Sequence, residues 1–364
     1  MSVETEHGDP GESVADRGVE QAPRVSNWPG SRFGGARLRA ALSARTVPRH
    51  SITHYAGGVM LFLLALLVSS GILLLLYYVP DAAQAHGSVE QIIGELPYGK
   101  LVRATHLWAS DLLIATLFFH TLSVLIRRSF RAPNELAWLL GLVLLFLGVG
   151  LAFTGAILPW SQTAQTDARI GSNLAQYVPF VGDGLRRFMR GGDEVTSSTL
   201  GHAFGFHVGA LPAVLTAVLA LHLLLLALRR PAQSPVDHGA ASRIPLYPDF
   251  FVRGAALTTA VLVVTMTLTV FVERPLGAAA ALGAPSPAGA RPPWYFLPVH
   301  EIVSVAPKEM LGMDGARFLV GLMCALGLVA AALPFIDRRG SKVTAWVAVG
   351  LALVLFALSA RALN

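Results

Sequence analysis

Four histidines lie inside apolar stretches of this chain, two in the segment 104–127 (His106 and His120) and two in the segment 204–228 (His207 and His222). Ionisable or metal-ligating side chains are costly in such surroundings and mark functional sites. The first pair is 120 − 106 = 14 residues apart, which at about 100° per residue brings the side chains back to within about 40° of one helix face. The second pair is 222 − 207 = 15 residues apart, about 60° from full repetition and on the same side. Each helix then carries two imidazoles roughly 21 Å apart along its axis, a separation that suits two haems stacked across a bilayer. Imidazoles on facing helices are suited to be axial ligands of haem iron; with both axial positions filled, electron transfer is favoured over oxygen chemistry. The expected metal ligands are therefore His106, His207, His120 and His222. Taken singly, each histidine also reads as a hydrogen-bonded core residue.

Glycines on two other segments repeat the same period. Gly57 and Gly71 are 14 residues apart, as are Gly141 and Gly155. Glycine weakens a helix and is retained where something must approach the backbone closely, here the edges of two porphyrins. The competing account is ordinary small-residue contact between membrane helices.

The elements that must position these residues follow from composition. The 364 residues are 54% hydrophobic and 14% charged, with a mean hydropathy of +0.57, which marks a membrane protein. Seven segments, near 57–79, 104–127, 136–158, 204–228, 255–272, 317–335 and 343–361, are apolar over the roughly 18 to 23 residues needed to cross a bilayer as helices. An all-α polytopic bundle is expected, four of its helices forming the two-haem unit, and no alternating pattern of a barrel is present.

The net charge of +6 does not point to nucleic acid, because the arginines cluster in alternate connections. They precede the first segment (Arg24 to Arg49) and follow the second (Arg127, Arg128, Arg131), the fourth (Arg229, Arg230, Arg243) and the sixth (Arg338, Arg339). This predicts a cytoplasmic N-terminus and an external C-terminus. His106 and His207 then share the outer level, and His120 and His222 the inner one. The single Cys324 leaves neither a disulfide framework nor a thiolate cluster, and no CxxCH is present for covalent haem. Residues 1–30 lack the apolar core of a signal peptide and read as a cytoplasmic tail. Residues 31–46 mix arginine with leucine and alanine, as a membrane-surface helix does.

Three stretches add specificity: "YGKLVRATHLW" at 98–108, "TGAILPWSQ" at 154–162 and "STLGHAFGFH" at 198–207. With the paired histidine and glycine periods, they resemble the cytochrome b subunit of quinol-oxidising cytochrome bc complexes over roughly residues 48–360. The 15-residue histidine spacing and the three helices after the fourth resemble the photosynthetic branch, whose two chains are joined here into one. The resemblance divides the chain into the tail and surface helix (1–50), a four-helix two-haem domain (51–232) and a three-helix domain bearing the quinol-site loop (233–364). It implies two non-covalent b-type haems with quinol and quinone as substrates. An outer site would oxidise quinol, sending one electron to a Rieske-type iron–sulfur protein and the other through the haems to an inner quinone site.

The resemblance also assigns side chains. Arg103 is similar to a haem-propionate partner, and a guanidinium suits a carboxylate. "PPWY" at 292–295 stands where the family has Pro-Glu-Trp-Tyr, so Pro292, Pro293, Trp294 and Tyr295 would wall the quinol pocket. Pro293 replaces the glutamate that accepts a proton, which leaves Glu301 or His300 as the nearest substitutes, Glu301 preferred, unless they are rim residues paired with Lys308 or Arg291. Gln165 and Thr166 replace two aromatics, His202 replaces an arginine near a propionate, and Tyr55 replaces the cysteine that holds an extra haem in the photosynthetic branch. Near the inner site Arg253 matches a basic position, Gly254 replaces an acid, and Asp249 reads as its substitute or as a helix N-cap. Asp111, inside the second helix, is either a proton-path acid or the partner of an unidentified donor.

The expected activity is that of a quinol oxidoreductase subunit acting with a Rieske-type protein and a cytochrome c or similar acceptor, in a dimeric complex in a bacterial cytoplasmic membrane. Two alternatives are a b-haem anchor linking quinone to a peripheral dehydrogenase and a haem-free scaffold or transporter.

Overall fold

The computed structural model describes residues 40, 42–44, 46–48, 52–228, 243–281, 286, 289–337 and 342–363. The expected tail at 1–30 and most of the surface segment at 31–46 lie outside those residues. Seven helices among the described residues are long and apolar enough to cross a membrane. They are α1 (Ile52–Leu75), α3 (Gly99–Arg127), α4 (Glu135–Ile157), α7 (Ser197–Leu228), α8 (Leu246–Phe271), α10 (Gly315–Ile336) and α11 (Lys342–Leu363). Their apolar residues run around the whole circumference, as in helices surrounded by lipid and other helices. Large side chains such as Phe146, Leu328 and Trp346 accordingly point outward, more than 70% exposed.

Among the described residues the chain is α-helical apart from two short antiparallel ladders and one isolated bridge, Ser161 with Ala279. Thr46–Pro48 (β1) pairs with Arg243–Pro245 (β2), and Glu309–Met310 (β3) with Met313–Asp314 (β4). Helix α7 begins at Ser197, not near 204 as hydropathy alone suggests. Thr196 and Thr199 form a capping box that satisfies the first free N–H groups and extends the helix through polar sequence. Helix α8 likewise opens at Leu246, through a π-turn at Leu246–Phe250. Asp249 therefore lies inside that turn and does not hold the expected capping position.

Helices α1, α3, α4 and α7 form a four-helix bundle, with α1 along α3, α4 along α7, and α3 against α4. Val59 and Leu63 of α1 meet Ala109 of α3 in its interior, with Val261 of α8 packed against them. Helix α10 lies on α4, where Trp138 donates from Nε1 to the Ala330 carbonyl at 2.9 Å. Helix α11 packs on α3.

Four shorter helices cap the end of the bundle that carries His106 and His207: α2 (Ala85–Gly94), α5 (Gln162–Ala175), α6 (Gly182–Arg190) and α9 (Leu297–Ser304). Trp160, with φ of 49°, turns the chain sharply after α4, and the Ser161 hydroxyl accepts from the Ala164 N–H at 3.2 Å to start α5. Phe153, Ile157 and Trp160 of this corner pack with Ala168, Val195, Leu200 and Ala203 as the core of the cap. A Cβ on Gly171 would collide with the Phe153 ring, so glycine is what lets α5 lie flat on α4. The buried Arg190 pins α6 to α5, donating to Ser172 Oγ at 2.8 Å and Asn173 Oδ1 at 2.7 Å. Burying a guanidinium requires such partners.

Candidate functional site

The four histidines point into the bundle at two levels. At the capped end, the His106 and His207 rings stand 6.2 Å apart between centroids, inclined at 73°. His207 Nδ1 donates to the Leu151 carbonyl at 3.0 Å. A carbonyl only accepts, so the proton sits on Nδ1 and the lone pair on Nε2. His106 Nδ1 lies 2.9 Å from Ser70 Oγ, whose own hydroxyl donates to the Leu66 carbonyl at 2.7 Å; His106 thus donates from Nδ1 as well. Donating one ring nitrogen to a main-chain or hydroxyl acceptor is how proteins orient a metal-binding imidazole. With metal–imidazole bonds of about 2 Å, a metal midway would stand roughly 3 Å from each centroid, which the observed spacing accommodates. At the other level His120 faces His222; their Nδ1 atoms are buried without a well-formed hydrogen bond, beside the carbonyls of Thr53 and Ala137 respectively.

The unequal spacing of the two pairs has a local cause. Residues Gly205–Ala210 form a π-turn inside α7. A π-turn accommodates one residue more than an α-turn. Its extra residue makes the 15-residue separation on α7 equivalent to the 14-residue separation on α3.

Glycines make room for two of the rings and lie in ordinary contact with a third. A Cβ at Gly71 would lie 3.3 Å from His106 Cε1, one at Gly155 2.6 Å from His207 Cε1, and one at Gly141 3.7 Å from His222 Cε1. Imidazoles thus lie close to Gly71 and Gly155, two of the positions whose period the sequence ties to porphyrin edges. Among the described residues beyond its own helix turn, nothing comes within 4 Å of a Cβ built at Gly57.

A polar cluster sits on the opposite side of α3. Arg274, just beyond α8, reaches back to Asp111 with a 2.9 Å ion pair and stacks 4.6 Å over the Trp108 ring. Asp111 also accepts from Trp294 Nε1 at 3.0 Å. Asp111 thus has donors, Arg274 and Trp294, and its carboxylate ties the 292–295 stretch to the second membrane helix. Arg103 donates to the Arg274 carbonyl at 2.7 Å. His202, expected near a propionate, is exposed and donates from Nδ1 to the Ser198 carbonyl at 2.9 Å. Replacing Asp111 with alanine is expected to raise amide hydrogen exchange across 292–297 by about tenfold, the loss of roughly one net hydrogen bond, read by mass spectrometry.

Residues Trp294–Phe296 form a single 3₁₀ turn leading into α9. Pro292 is buried, Trp294 is exposed, and Phe296 packs edge-on against Phe153 at 5.5 Å. Tyr295 is directed into the cap. Burial, reinforced by the charges of Asp167 and Asp111, raises its phenol above the ordinary value. Glu301, expected as the substitute proton acceptor, has its carboxylate ion-paired with Arg361 of α11 at 2.8 Å and accepts from the Ser304 hydroxyl at 3.3 Å.

Two residues beside this stretch escaped the sequence reading, Arg274 and Asp167. On α5 the residues Ala164, Gln165, Thr166, Asp167 and Ala168 are all buried, and Gln165 Nε2 has no hydrogen-bond partner among the described residues. Burial pushes the Asp167 carboxyl up to about 7. The signal was present: Asp167 shares the i, i+3, i+4, i+7 face with Ala164, Ala168 and Gly171, the small residues that press α5 onto α4. At the opposite end, an apolar cleft between α1, α3 and α8 is lined by Tyr55, Val59, Thr116, Phe119 and Leu257. The Tyr55 ring stacks on Phe250 at 4.5 Å, its hydroxyl without a partner among the described residues, and Arg253 is exposed nearby in sequence.

The Cytochrome b/b6/petB family model matches residues 42–230. The chain is 33% identical over 307 residues to the cytochrome bc complex cytochrome b subunit of Chlorobaculum thiosulfatiphilum, covering 83% of this chain and 70% of that one. It is 31% identical over 212 residues to the menaquinol:cytochrome c reductase cytochrome b subunit of Geobacillus thermodenitrificans, covering 56% of this chain and 95% of the relative. In fold it is similar to a chain of a hyperthermophilic respiratory complex III, with a TM-score of 0.75 at 22% identity, covering 92% of this chain and 97% of the other. A bundle with imidazoles aimed inward at two levels, matched across its whole four-helix part and in most of the chain beyond, belongs to the cytochrome b/b6 family.

Proposed function

We propose that this chain is the two-haem membrane subunit of a bc-type quinol oxidoreductase. It oxidises quinol beneath the cap and passes electrons across the membrane to a quinone site at the His120 level. The observation that carries this reading is the donor set at the capped end, where two imidazoles are held with Nδ1 protonated and Nε2 left as ligand. His106 and His207 would hold one b-type haem, and His120 and His222 the other. Each haem, when bound, supplies one-electron oxidation and reduction of its iron.

The remaining work falls to the chain's own residues. Pro292 and Pro293 stiffen the approach to the 3₁₀ turn, and Trp294 and Tyr295 offer aromatic faces to a quinone ring. Asp111 and Arg274 fix those faces against α3. At the other end the free Tyr55 hydroxyl is suited to hydrogen-bond a quinone carbonyl in the apolar cleft, with Arg253 on the same helix as Leu257. Residues 51–232 would then be the haem-binding domain, and 233–364 the domain that completes both quinone sites. The names of the relatives, parts of a bc complex and of a menaquinol:cytochrome c reductase, support a Rieske-type iron–sulfur protein and a cytochrome c or similar acceptor as partners. The arginine-rich connections support a bacterial cytoplasmic membrane with the N-terminus inside and the capped end outside. Association of two complexes through this subunit completes the proposal.

The test uses the purified complex. Quinol should reduce both haems, a pyridine haemochrome assay should give two per chain, and an inhibitor of the outer site should block turnover with the acceptor. Absence of b-type absorbance would overturn the reading.

A further inference from the structure

The outer quinol site proposed above requires a proton acceptor, and the position expected to supply one is Pro293, which has no basic atom. Glu301 is held by Arg361 and Ser304. Asp111 is held by Arg274 and Trp294. Both are carboxylates occupied in fixing helices and the aromatic turn.

Asp167 differs from them in setting. Its residue is only 8% exposed, on a turn where Gln165 and Thr166 are each 4% exposed. Placing three consecutive polar residues in the interior is costly unless they meet a polar partner. Gln165 Nε2 meets none among the described residues. Helix α5 touches α9 directly, and Asp167 acts electrostatically on the Tyr295 phenol. A buried carboxylate and a tyrosine hydroxyl therefore meet where the cap joins the aromatic turn.

We propose that Asp167 is the proton acceptor of quinol oxidation in this chain, taking over from α5 the role that Pro293 cannot perform. The inference rests on the quinol-oxidation reading of the site. Converting one quinol to quinone breaks two O–H bonds and releases two electrons and two protons. An iron–sulfur protein partner would accept one electron and one proton, a b-type haem held by His106 and His207 would accept the second electron, and the second proton moves to a carboxylate oxygen of Asp167. A carboxyl that titrates near 7 is matched to that task, being ionised often enough to accept and acidic enough to release.

Ionisable groups near α5 include its own Arg169 and, on or beside the α6 packed against it, Asp183, Arg186, Arg187, Arg190, Asp193 and Glu194. Arg190 of α6 bonds Ser172 and Asn173. From the aromatic turn and α9 come Tyr295, His300 and the Arg361-paired Glu301; Asp111 and Arg274 act on Tyr295 from beyond it.

The test compares the intact complex carrying Asp167→Asn, Asp167→Glu or the native residue. Asp167→Asn should slow quinol oxidation about 100-fold, the lower range for loss of a general base, and abolish the rise in rate with pH through about 7. Asp167→Glu should restore most of both. In infrared spectra the native complex should show a protonated-carboxyl band that titrates near pH 7 and is missing from Asp167→Asn. Haem content and haem reduction from the inner site should be unchanged in each, which separates loss of this proton step from failure to fold. A native rate, pH profile and infrared spectrum in Asp167→Asn would overturn the assignment while leaving the outer site standing. A native complex that oxidises no quinol in an inhibitor-sensitive way would overturn both.

Discussion

Replacing His207 with leucine should leave the folded subunit with one haem in place of two. Leucine fills a similar volume and tolerates the apolar surroundings, so the helix should remain, but the Nε2 lone pair opposite His106 is gone. The levels are roughly 21 Å apart along the axis, so the His120 and His222 pair should keep its cofactor. A pyridine haemochrome assay should fall to half the native haem per chain, and a redox titration should lose one of two waves. His120→Leu should remove the other wave. Loss of neither haem from either variant would sink the ligand assignment.

Gly155→Val should produce a similar phenotype without touching a ligand. Even a single Cβ at that position would lie 2.6 Å from His207 Cε1 and 3.0 Å from its Nδ1, and valine adds two further carbons. The ring must swing away, breaking its bond to the Leu151 carbonyl and re-aiming Nε2. Overpacking of this kind costs about 1–3 kcal/mol, so the affinity for that haem should fall roughly 10- to 100-fold, measured by haem loss to an acceptor apoprotein. Gly141→Ala, whose new carbon would meet His222 Cε1 at 3.7 Å in ordinary contact, should be far milder. Equal effects at the two positions would show that ring clearance is not what these glycines provide.

Much of this architecture is written in the chain at short range. A membrane span announces itself because nearly every residue of a long window is apolar, and the histidine levels because a helix repeats its faces with a fixed period. The short helices of the cap are quieter. Helix α5 depends on Ser161 as cap, on the turn at Trp160 and on the Gly171–Phe153 contact, features that acquire meaning only when α4 lies beneath. The partners of Asp111 lie 163 and 183 residues further along, at Arg274 and Trp294, and no local pattern couples such distant positions. For the same reason Glu301 looks available in the sequence and is engaged in the fold: Arg361 comes from the last helix.

The six residues Gly205–Ala210 work as a slip joint. Because that stretch absorbs a surplus residue, a version of the chain lacking one amino acid there could revert to plain α-helix and still present both imidazoles inward. The same deletion between 211 and 221 would rotate His222 by about 100° toward lipid. Between the two histidines a lost residue is therefore tolerated only within that stretch, and the two spacings, 14 and 15, become alternative solutions of a single geometric problem.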